Sequence, residues 1–443
     1  KLAYNQNGFR PQRNIVQHQM VLQTMVENVK KTPVHFLFVD FKAAFTSIYY
    51  AFLVRALKFF RVPDSFIKVI MDQYQDAKGM VCFQGRVSEP FSVERGVLQG
   101  DTLSPFCFVL CLDAVMRKVV NRGVRIGQHW KTRQTQGGRS VQAREDTRLH
   151  YLAYADDIVL MARTAEELQS MLTELQTNAL VAGLSLNFSQ GKTEYLAMGE
   201  TYGSIKNLEG QEVRKVKDYT YLGVSVTDPW KHMKKRTSLA WMAAHQLRPI
   251  WKAKSLDGKD KRDLFRSYIE PTLSYGMSAL FVGKELQRYY QTQHQRLLQY
   301  CTDMWMCPEL LQGPHLEQVY DEYHSSIKLT HAALFRQRSG MLAHMCRGHW
   351  RGNLAHPLIQ VLKGSERCRF NKYIKECVGV TFEDFYDLTT SEAANFGKSN
   401  IGAVELKINK AQYKQTWIKR TKRFEIPNVD DYCISRENVL GYR

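Results

Sequence analysis

Short apolar runs and helix-like periods alternate along the first half of the chain. Residues 34–39 form an apolar, β-prone run that predicts a buried strand, and this run ends at a carboxylate, Asp40. Apolar strands are also predicted at residues 151–155 and 158–162, on either side of the pair Asp156-Asp157. Further strand signals lie at residues 80–83, 91–94, 184–186, 195–198 and 219–226. The pattern predicts a sheet with two carboxylate-bearing strand ends.

Helical spacing is found between these strands. It predicts helices over residues 14–30, 43–60, from about 63, over 106–120 and over 164–183. Ser104 suits an N-cap and Pro105 a first helical position, and Thr164 with Glu167 suits a capping box. The expected buried face of the 43–60 helix consists of Phe45, Ile48, Tyr49, Phe52 and Ala56. Residues 121–148 predict a flexible basic loop or ribbon, and residues 230–345 are mostly helical and basic.

The formal charge of +19 changes the picture toward function. Such a global excess favours a polyanion partner, because neutralised phosphates release counterions. A solvated basic surface or a membrane-surface protein is the alternative, although no run of about 18 apolar residues is present. Cysteines without a paired framework, with Cys107 and Cys111 one helical turn apart, indicate a reducing compartment. No signal peptide is evident, and because the first residue is Lys we expect the natural N-terminus to be missing.

The three acids suggest a specific chemistry. Mg²⁺ prefers oxygen ligands and keeps waters for a substrate phosphate, and two such ions can stabilise the attacking and leaving oxygens of a phosphoryl displacement. Asp40 at a strand end and Asp156-Asp157 in a turn would supply those oxygens from neighbouring strands. An ordinary solvated Asp turn is the alternative. The apolar residues on both sides of the turn argue against it, because a charge there is unfavourable unless it is paired or bound to metal.

Six segments of the chain, in order, resemble motifs of reverse transcriptases. They are Asn7-Gly8-Phe9-Arg10-Pro11, residues 38–45 around Asp40, residues 96–105 with Gln99-Gly100-Asp101, Tyr154-Ala155-Asp156-Asp157, residues 183–187 with Lys192-Thr193, and Tyr221-Leu222-Gly223-Val224. Within that family, the amino-acid sequences of these segments are most similar to those of non-LTR, target-primed retrotransposon enzymes, especially the RTE and R4/Dong-like groups. Downstream, Ser238–Trp241, residues 264–276 and His356-Pro357-Leu358 add to that resemblance.

The resemblance implies roles for particular residues. Asp40, Asp156 and Asp157 would be catalytic and would bind two Mg²⁺ ions, with the Phe41 carbonyl completing one site and Mn²⁺ as a substitute. The backbone of Ala43 and Ala44 would face the nucleotide triphosphate. Phe45 would be an aromatic gate that rejects a ribose 2′-hydroxyl; a plain core position is the alternative. The remaining nucleotide contacts would be Gln99, Gly100, Lys192 and Arg10, where a turn glycine, a surface lysine and a structural arginine are the alternatives.

Contacts to primer and template are implied for a further group: Tyr221, Leu222, Gly223, Lys234, Lys235 and Trp241. Basic and aromatic residues alternate at 230–254 and again at 407–423, as in surfaces that grip nucleic acid, although a solvated helix face would look similar. A zinc site from His344, Cys346, His349, His356, Cys368 and Cys377 is disfavoured, since their spacing matches no paired ligand pattern.

The expected fold is α+β: a right-hand polymerase with an antiparallel palm sheet and a helical C-terminal extension. Fingers are expected at 1–33 and 61–88, palm at 34–60 and 89–229, thumb at 230–345, and a nucleic-acid-binding extension at 346–443. The expected partners are an RNA template, a DNA primer or target, dNTPs and the element's own RNA in a ribonucleoprotein, without a membrane. Synthesis in the cytoplasm and action in the nucleus would follow. The alternatives are a catalytically idle RNA-binding or splicing module and a cellular or intron-encoded reverse transcriptase.

Overall fold

A computed structural model describes residues 2–11, 13–28, 33–75, 77–120, 122–134, 140–199, 203–280, 283–302 and 362. The chain divides into two compact units, and each is described by itself. The described residues up to Thr227 belong to the first, with Leu362, and those from Asp228 to Thr302 belong to the second. The predicted extension at 346–443, the zinc candidates and the basic run at 407–423 therefore lie outside the described residues, apart from Leu362.

Helices account for most of the described secondary structure. In chain order they are α1 (Ile15–Asn28), α2 (Ala44–Ser47), α3 (Tyr50–Phe59), α4 (Asp64–Asp72), α5 (Ser104–Met116), α6 (Ala165–Val181), α7 (Pro229–Gln246), α8 (Arg248–Trp251), α9 (Gly258–Leu264), α10 (Glu270–Ser274) and α11 (Lys284–Thr302), with a π-helical turn at Phe265–Ile269 before α10. The helical character predicted from residue 230 onward is confirmed as far as the description reaches, residue 302.

The strands are shorter. They are β1 (Val34–Val39), β2 (Lys78–Gly79), β3 (Cys82–Phe83), β4 (Arg86–Val87), β5 (Phe91–Ser92), β6 (Val124–Gln134), β7 (Ser140–Leu149), β8 (Tyr151–Tyr154), β9 (Asp157–Ala162), β10 (Glu194–Met198), β11 (Thr220–Tyr221) and β12 (Val224–Ser225). Four of them form one sheet in the order β10-β1-β9-β8, with every neighbouring pair antiparallel. The antiparallel sheet expected from the sequence is present.

The core of the first unit lies on this sheet. All six residues of β1 are buried, as expected for a central strand whose two faces are both covered. Helix α6 packs on β1 and β9, and α5 packs on α3 and α6. Phe108, Leu112, Leu168 and Leu172 are fully buried between them. The strands that lead to Asp40 and Asp157 are therefore held in a close-packed core.

The helix predicted over residues 43–60 is wrong in its middle. It divides into α2 and α3, because Ile48 and Tyr49 adopt extended backbone angles. In that conformation the Ile48 carbonyl accepts from Gly96 N–H and the Tyr49 N–H donates to Ala182. Tyr49, expected on the buried face, is 46% exposed. Long-range backbone hydrogen bonds, which periodicity does not report, replace the helical ones here.

Other predictions at element ends need smaller corrections. Ser104 is not the N-cap of α5; Leu103 is, and Asp101 Oδ2 accepts hydrogen bonds from Leu103 N, Ser104 N and Ser104 Oγ. Thr164 does cap α6, by accepting from Glu167 N at 3.2 Å. The strand predicted at residues 184–186 is wrong, since only an isolated bridge from Leu186 to Phe41 forms there.

Where it is described, at residues 122–134 and 140–148, the segment expected to be a basic loop or ribbon contains two paired strands. β6 and β7 pair from Val124↔Leu149 to Gln134↔Ser140, with an irregularity after Arg125. The predicted strand at 219–226 is a tight hairpin, β11 with β12, whose turn residues Leu222 (φ 46°) and Gly223 (φ 75°) both have positive φ. That combination is the hairpin turn that suits the twist of paired strands.

The second unit is helical in its described part. Helix α7 packs on α10 and α11, and Trp251 of α8 is buried with its Nε1 donating to the Ala244 carbonyl at 2.8 Å. Among the helices described in either unit, none is both long and apolar enough to cross a bilayer.

Candidate active site

The three acids predicted from the sequence meet at one end of the four-stranded sheet. Strand β1 pairs with β9 in the register Val39↔Ile158, so the next step places Asp40 opposite Asp157. Asp156 precedes Asp157 in the turn from β8 to β9, where Tyr154 pairs with Asp157. Two adjacent strands thus bring the carboxylates together, as the strand-end pattern predicts.

The Asp-Asp turn has an unusual backbone. Ala155, just before Asp156, has φ 54°, in the left-handed region that non-glycine residues seldom adopt. It is buried, and it lies in the turn that joins two strands whose residues are almost all buried. The position of Asp156 and Asp157 is therefore fixed by backbone geometry.

The acids of the turn are not neutralised by their surroundings. Burial raises the pKa of Asp156, and the nearby charge of Asp40 adds to the rise. Burial and then repulsion from Asp156 and Asp40 raise the pKa of Asp157 to about 6, although Lys192 opposes the rise. Asp157 is exposed to solvent, and the attraction of Lys192 is smaller than the repulsion from the two other acids. The positive charge near the turn therefore does not cancel its negative charge.

Asp40 has a different environment. Its Oδ1 lies 3.3 Å from Lys192 Nζ, and its Oδ2 accepts from Asn187 Nδ2 at 3.2 Å. The Asp40 backbone is fixed on both sides, because its N–H donates to Thr193 Oγ1 and its carbonyl accepts from Asn187 N–H. Lys192 thus contacts Asp40, and its predicted contact with the triphosphate stays a prediction.

The donor set suits a divalent cation. Three carboxylates with one lysine leave an excess of negative oxygen ligands, and their repulsion adds to the rise that burial causes in the pKa of Asp156 and Asp157. As the side chains lie, no closed cage of three or more ligating groups exists among the described residues. Asp40 Oδ1 is paired with Lys192 instead, so metal binding at that oxygen would require the two groups to separate.

Two tyrosines support the site from the neighbouring hairpin. Tyr221 is buried, and its hydroxyl donates to the Asp157 carbonyl at 3.2 Å. Tyr219 stacks on Phe38 with ring centroids 4.1 Å apart, and its hydroxyl donates to the Lys192 carbonyl at 3.0 Å. The hairpin expected to contact primer is therefore hydrogen-bonded directly to the acidic turn.

The residues predicted to face a nucleotide form a connected group. Phe41 is buried beside Leu186, and Ala43 (φ 48°) precedes Ala44, the first residue of α2. The Phe45 ring stacks on Phe108 with centroids 4.3 Å apart, and the Phe45 carbonyl accepts from Val97 N–H. This hydrogen bond joins the Asp40 segment to the 96–105 loop.

Gln99 and Gly100 occupy an exposed turn of that loop. Arg10 differs from the expectation of a free phosphate contact, because its Nη1 donates to the carbonyls of Ala3 and Gln6. That geometry favours the alternative in which Arg10 stabilises the local structure. The Leu222 carbonyl, in the hairpin turn beside Gly223, accepts from Gln19 Nε2 of α1 at 2.8 Å.

The remaining predicted contacts lie on α7, in the second unit. Lys234 and Lys235 are exposed, as a phosphate-binding pair requires. Trp241 is partly buried against α11, with its Nε1 donating to Gln293 Oε1 at 3.3 Å and its ring against Tyr300. Trp241 therefore has a packing role within this unit.

Sequence reasoning assigned no role to several residues at the site. Asn187 and Thr193 lie in a recognised motif, but nothing in the sequence shows that they hydrogen-bond to Asp40. Tyr219 gave no signal beyond its strand position. Gln6 gave none at all, yet its amide contacts Ala155.

Comparison with known proteins agrees with this geometry. The family model described as reverse transcriptase (RNA-dependent DNA polymerase) matches residues 1–226, just over half of the chain. All three acids lie inside that match. The chain belongs to the reverse transcriptase family.

Curated relatives narrow the class. The chain is 24% identical over 234 residues to the Retrovirus-related Pol polyprotein from type-2 retrotransposable element R2DM of Drosophila melanogaster, covering 50% of this chain and 20% of the relative. It is 28% identical over 191 residues to the Pol polyprotein from type-1 retrotransposable element R2 of Nasonia vitripennis, covering 42% and 17%. The chain thus matches about a fifth of the length of these relatives, which are named as Pol polyproteins of retrotransposable elements.

Among solved structures, telomerase from Candida tropicalis in complex with a fragment of telomeric RNA is similar at TM-score 0.35 and 11% identity. The match covers 78% of this chain and 52% of that one. Nothing further about this chain follows from a likeness at that level.

Proposed function

We propose that this chain is the polymerase segment of a non-LTR retrotransposon protein and copies RNA into DNA by target-primed reverse transcription. The single observation that supports this most is the meeting of Asp40, Asp156 and Asp157 at the end of adjacent strands, with too little positive charge nearby. Family membership and the R2 relatives support the same reading. The substrates would be dNTPs, an RNA template and the 3′ end of a DNA primer.

The reaction is a phosphoryl transfer. The primer 3′-oxygen forms a bond to the α-phosphorus of the dNTP, the bond to pyrophosphate breaks, and the 3′-hydroxyl proton passes to water. Divalent cations, bound by Asp40, Asp156, Asp157 and the Phe41 carbonyl, would neutralise charge on the attacking and leaving oxygens. We expect two ions, Mg²⁺ or Mn²⁺. Lys192, already beside Asp40, would move toward the triphosphate or the leaving pyrophosphate when an ion takes its place.

Sugar selection is assigned to Phe45. Its stacking on buried Phe108 holds the ring in one orientation, and a fixed ring can reject a 2′-hydroxyl by collision. The backbone of Ala43 and Ala44 would face the triphosphate, and Gln99 with Gly100 would approach the nucleotide and template from the loop bonded to Phe45. The structural role of Arg10 makes it the weakest member of this group.

Primer and template contacts are assigned to two places. The Tyr221–Gly223 hairpin is tied to the Asp157 carbonyl, so a primer resting on it would be positioned relative to the acids. Exposed Lys234 and Lys235 would bind phosphates, with Trp241 supporting their helix. In this proposal residues 34–60 and 89–229 are the palm, 1–33 and 61–88 belong to the fingers, and 230–345 form the thumb of a right-hand polymerase. Residues 346–443 would be a nucleic-acid-binding extension.

The finer assignments are also proposals. The sequence of residues 264–276 and of His356-Pro357-Leu358 supports assigning this chain to the RTE or R4/Dong-like elements. The curated relatives above, in contrast, are R2 elements. A ribonucleoprotein with the element's own RNA, and nuclear action at the integration site after cytoplasmic synthesis, follow from target priming.

Primer extension tests the proposal. The purified chain, with Mg²⁺, an RNA template and an annealed DNA primer, should add dNTPs, and Asp156→Ala should not. Phe45→Ala should incorporate ribonucleotides more readily while retaining extension with dNTPs. A folded wild-type chain that extends no primer would overturn the enzyme assignment, and unchanged sugar discrimination in Phe45→Ala would remove the gate.

A further inference from the structure

The segment before the first helix lies along the edge strand of the active-site sheet. Asn7 N–H donates to the Ala153 carbonyl at 2.9 Å, and Ala153 N–H donates to the Asn5 carbonyl at 2.9 Å. Gln6 and Ala153 form a parallel bridge. Residues 5–7 therefore extend the sheet by one short, parallel partner beside β8, two residues before the acidic turn.

From this place the Gln6 side chain reaches the turn itself. It is 1% exposed, and its Oε1 accepts from Ala155 N–H at 3.0 Å while its Nε2 donates to the Ala155 carbonyl at 3.3 Å. One amide thus satisfies both backbone groups of Ala155. In the left-handed conformation of Ala155, φ 54°, those groups do not take part in the strand pairing, and they need other partners when buried.

Gly8 completes the contact. Its N–H donates to Gln6 Oε1 at 2.7 Å, which orients the amide. A Cβ atom on Gly8 would lie 2.3 Å from Ala155 N, so only glycine permits this approach of the segment to the turn. The contact is therefore specific in shape as well as in hydrogen bonding.

We propose that Gln6 is a positioning residue for the catalytic carboxylates: it fixes the left-handed turn at Ala155 and thereby the placement of Asp156 and Asp157 for metal binding. This inference rests on the proposed function. The competing reading is a buried amide that contributes only to folding. The positioning role is favoured because two of the three hydrogen bonds described for the Gln6 side chain end on the residue that adjoins Asp156.

The chain offers a matched control. Asn207 is also a buried amide, and its Oδ1 also accepts from two backbone N–H groups, those of Glu209 and Gln211, in a loop without a predicted active-site role. Gln6→Met and Asn207→Leu each remove the amide with little change in shape. Both variants should lose thermal stability, since each leaves buried N–H groups unpaired.

The test compares these variants in three measurements. For Gln6→Met we expect Mn²⁺ affinity, measured with the metal alone by electron paramagnetic resonance, to weaken about 10- to 100-fold, the range for outer-shell partners of a metal site. In primer extension kcat should fall by a similar factor with little change in KM for the dNTP. Asn207→Leu should keep wild-type metal affinity and kcat.

Wild-type metal affinity and kcat in folded Gln6→Met, or equal losses in Asn207→Leu, would overturn the positioning role. If Gln6→Met does not fold, amide hydrogen exchange in the wild-type chain still tests the proposal. The Ala155 amide should be protected, and fast exchange there would contradict the positioning role. A wild-type chain without extension activity would overturn the proposed function alone, since Mn²⁺ affinity tests Gln6 separately.

Discussion

Asp40 and the Asp156-Asp157 turn lie on neighbouring strands, yet their environments are opposite. Asp40 has a lysine on one carboxylate oxygen and an amide donor on the other. In the turn, burial and repulsion from neighbouring acids raise the pKa of Asp156 and Asp157, and the backbone hydrogen bond at Asp156 and the charge of Lys192 near Asp157 oppose the rise without cancelling it. Without metal, one acid is compensated and two are not.

If the proposed metal site is correct, this difference would let the acids be stable without ions and still bind them. A lysine that pairs with Asp40 offsets part of the repulsion, whereas the uncompensated turn supplies the negative potential that attracts a cation. A cation bound at Asp40 Oδ1 would also have to separate Asp40 from Lys192. In the proposed site, the favourable free energy of metal binding would therefore come mainly from the turn.

The largest effect, on the rate of nucleotide addition, should come from removing one carboxylate charge, either at Asp40 or in the turn. Asp40→Asn and Asp157→Asn should each lower the rate of nucleotide addition by at least about 10²- to 10³-fold, as for the loss of one preorganised electrostatic group. Single-turnover primer extension measures this. Near-normal rates in either variant would remove that acid from the catalytic set.

The pH dependence of metal binding is the next largest effect. Because a proton competes with the cation for Asp157, whose pKa is about 6, Mg²⁺ affinity should fall about tenfold for each pH unit below that value and level off above it. Calorimetric titration across this range measures it. In Asp157→Asn the dependence should flatten, and an equally steep dependence there would contradict the assignment.

Replacing Asp157 and replacing Asp40 should have different effects on the stability of the metal-free protein. The raised pKa means that folded, metal-free protein binds a proton that the unfolded chain releases near pH 4, so its contribution to stability is present below about 4 and lost as pH rises through about 6. At neutral pH, Asp157→Asn should therefore stabilise the metal-free protein by about 1 kcal/mol, discounted for solvent exposure. Asp40→Asn should not stabilise it. Thermal unfolding with a chelator measures both, and equal shifts would contradict the contrast.

The smallest effect concerns Lys192, which lowers the pKa of Asp157 only as a minor influence. In Lys192→Met the pKa of Asp157 should rise slightly further, because a positive charge is removed. Titration of the carboxyl signal by NMR in metal-free protein measures this. A fall in the pKa would show that Lys192 does not act on the turn electrostatically.

Much of this site follows from the sequence. A strand ending in Asp40 and a hairpin turn bearing Asp156-Asp157 predict carboxylates on adjacent strands, and the β1–β9 register places them so. The order of motifs predicted the family, which the match over residues 1–226 confirms. Local pattern sufficed because the acids lie at the ends of strongly apolar strands.

What the sequence did not predict depends on contacts between distant residues. The break at Ile48-Tyr49 arises from hydrogen bonds to Gly96 and Ala182, which local periodicity does not contain. The pairing of Lys192 with Asp40 and the reach of Gln6 to Ala155 span about 150 residues of chain. Such interactions become visible only when the fold brings the segments together.

Single-nucleotide addition on an RNA template is the most direct test of the central claim that the three carboxylates form the catalytic metal site. With Mg²⁺, the wild-type chain should extend an annealed DNA primer by one deoxynucleotide, and Asp156→Asn should fail, while the exposed control Glu209→Gln should match the wild type. Extension by Asp156→Asn at the wild-type rate, with Mg²⁺ still required, would contradict the account.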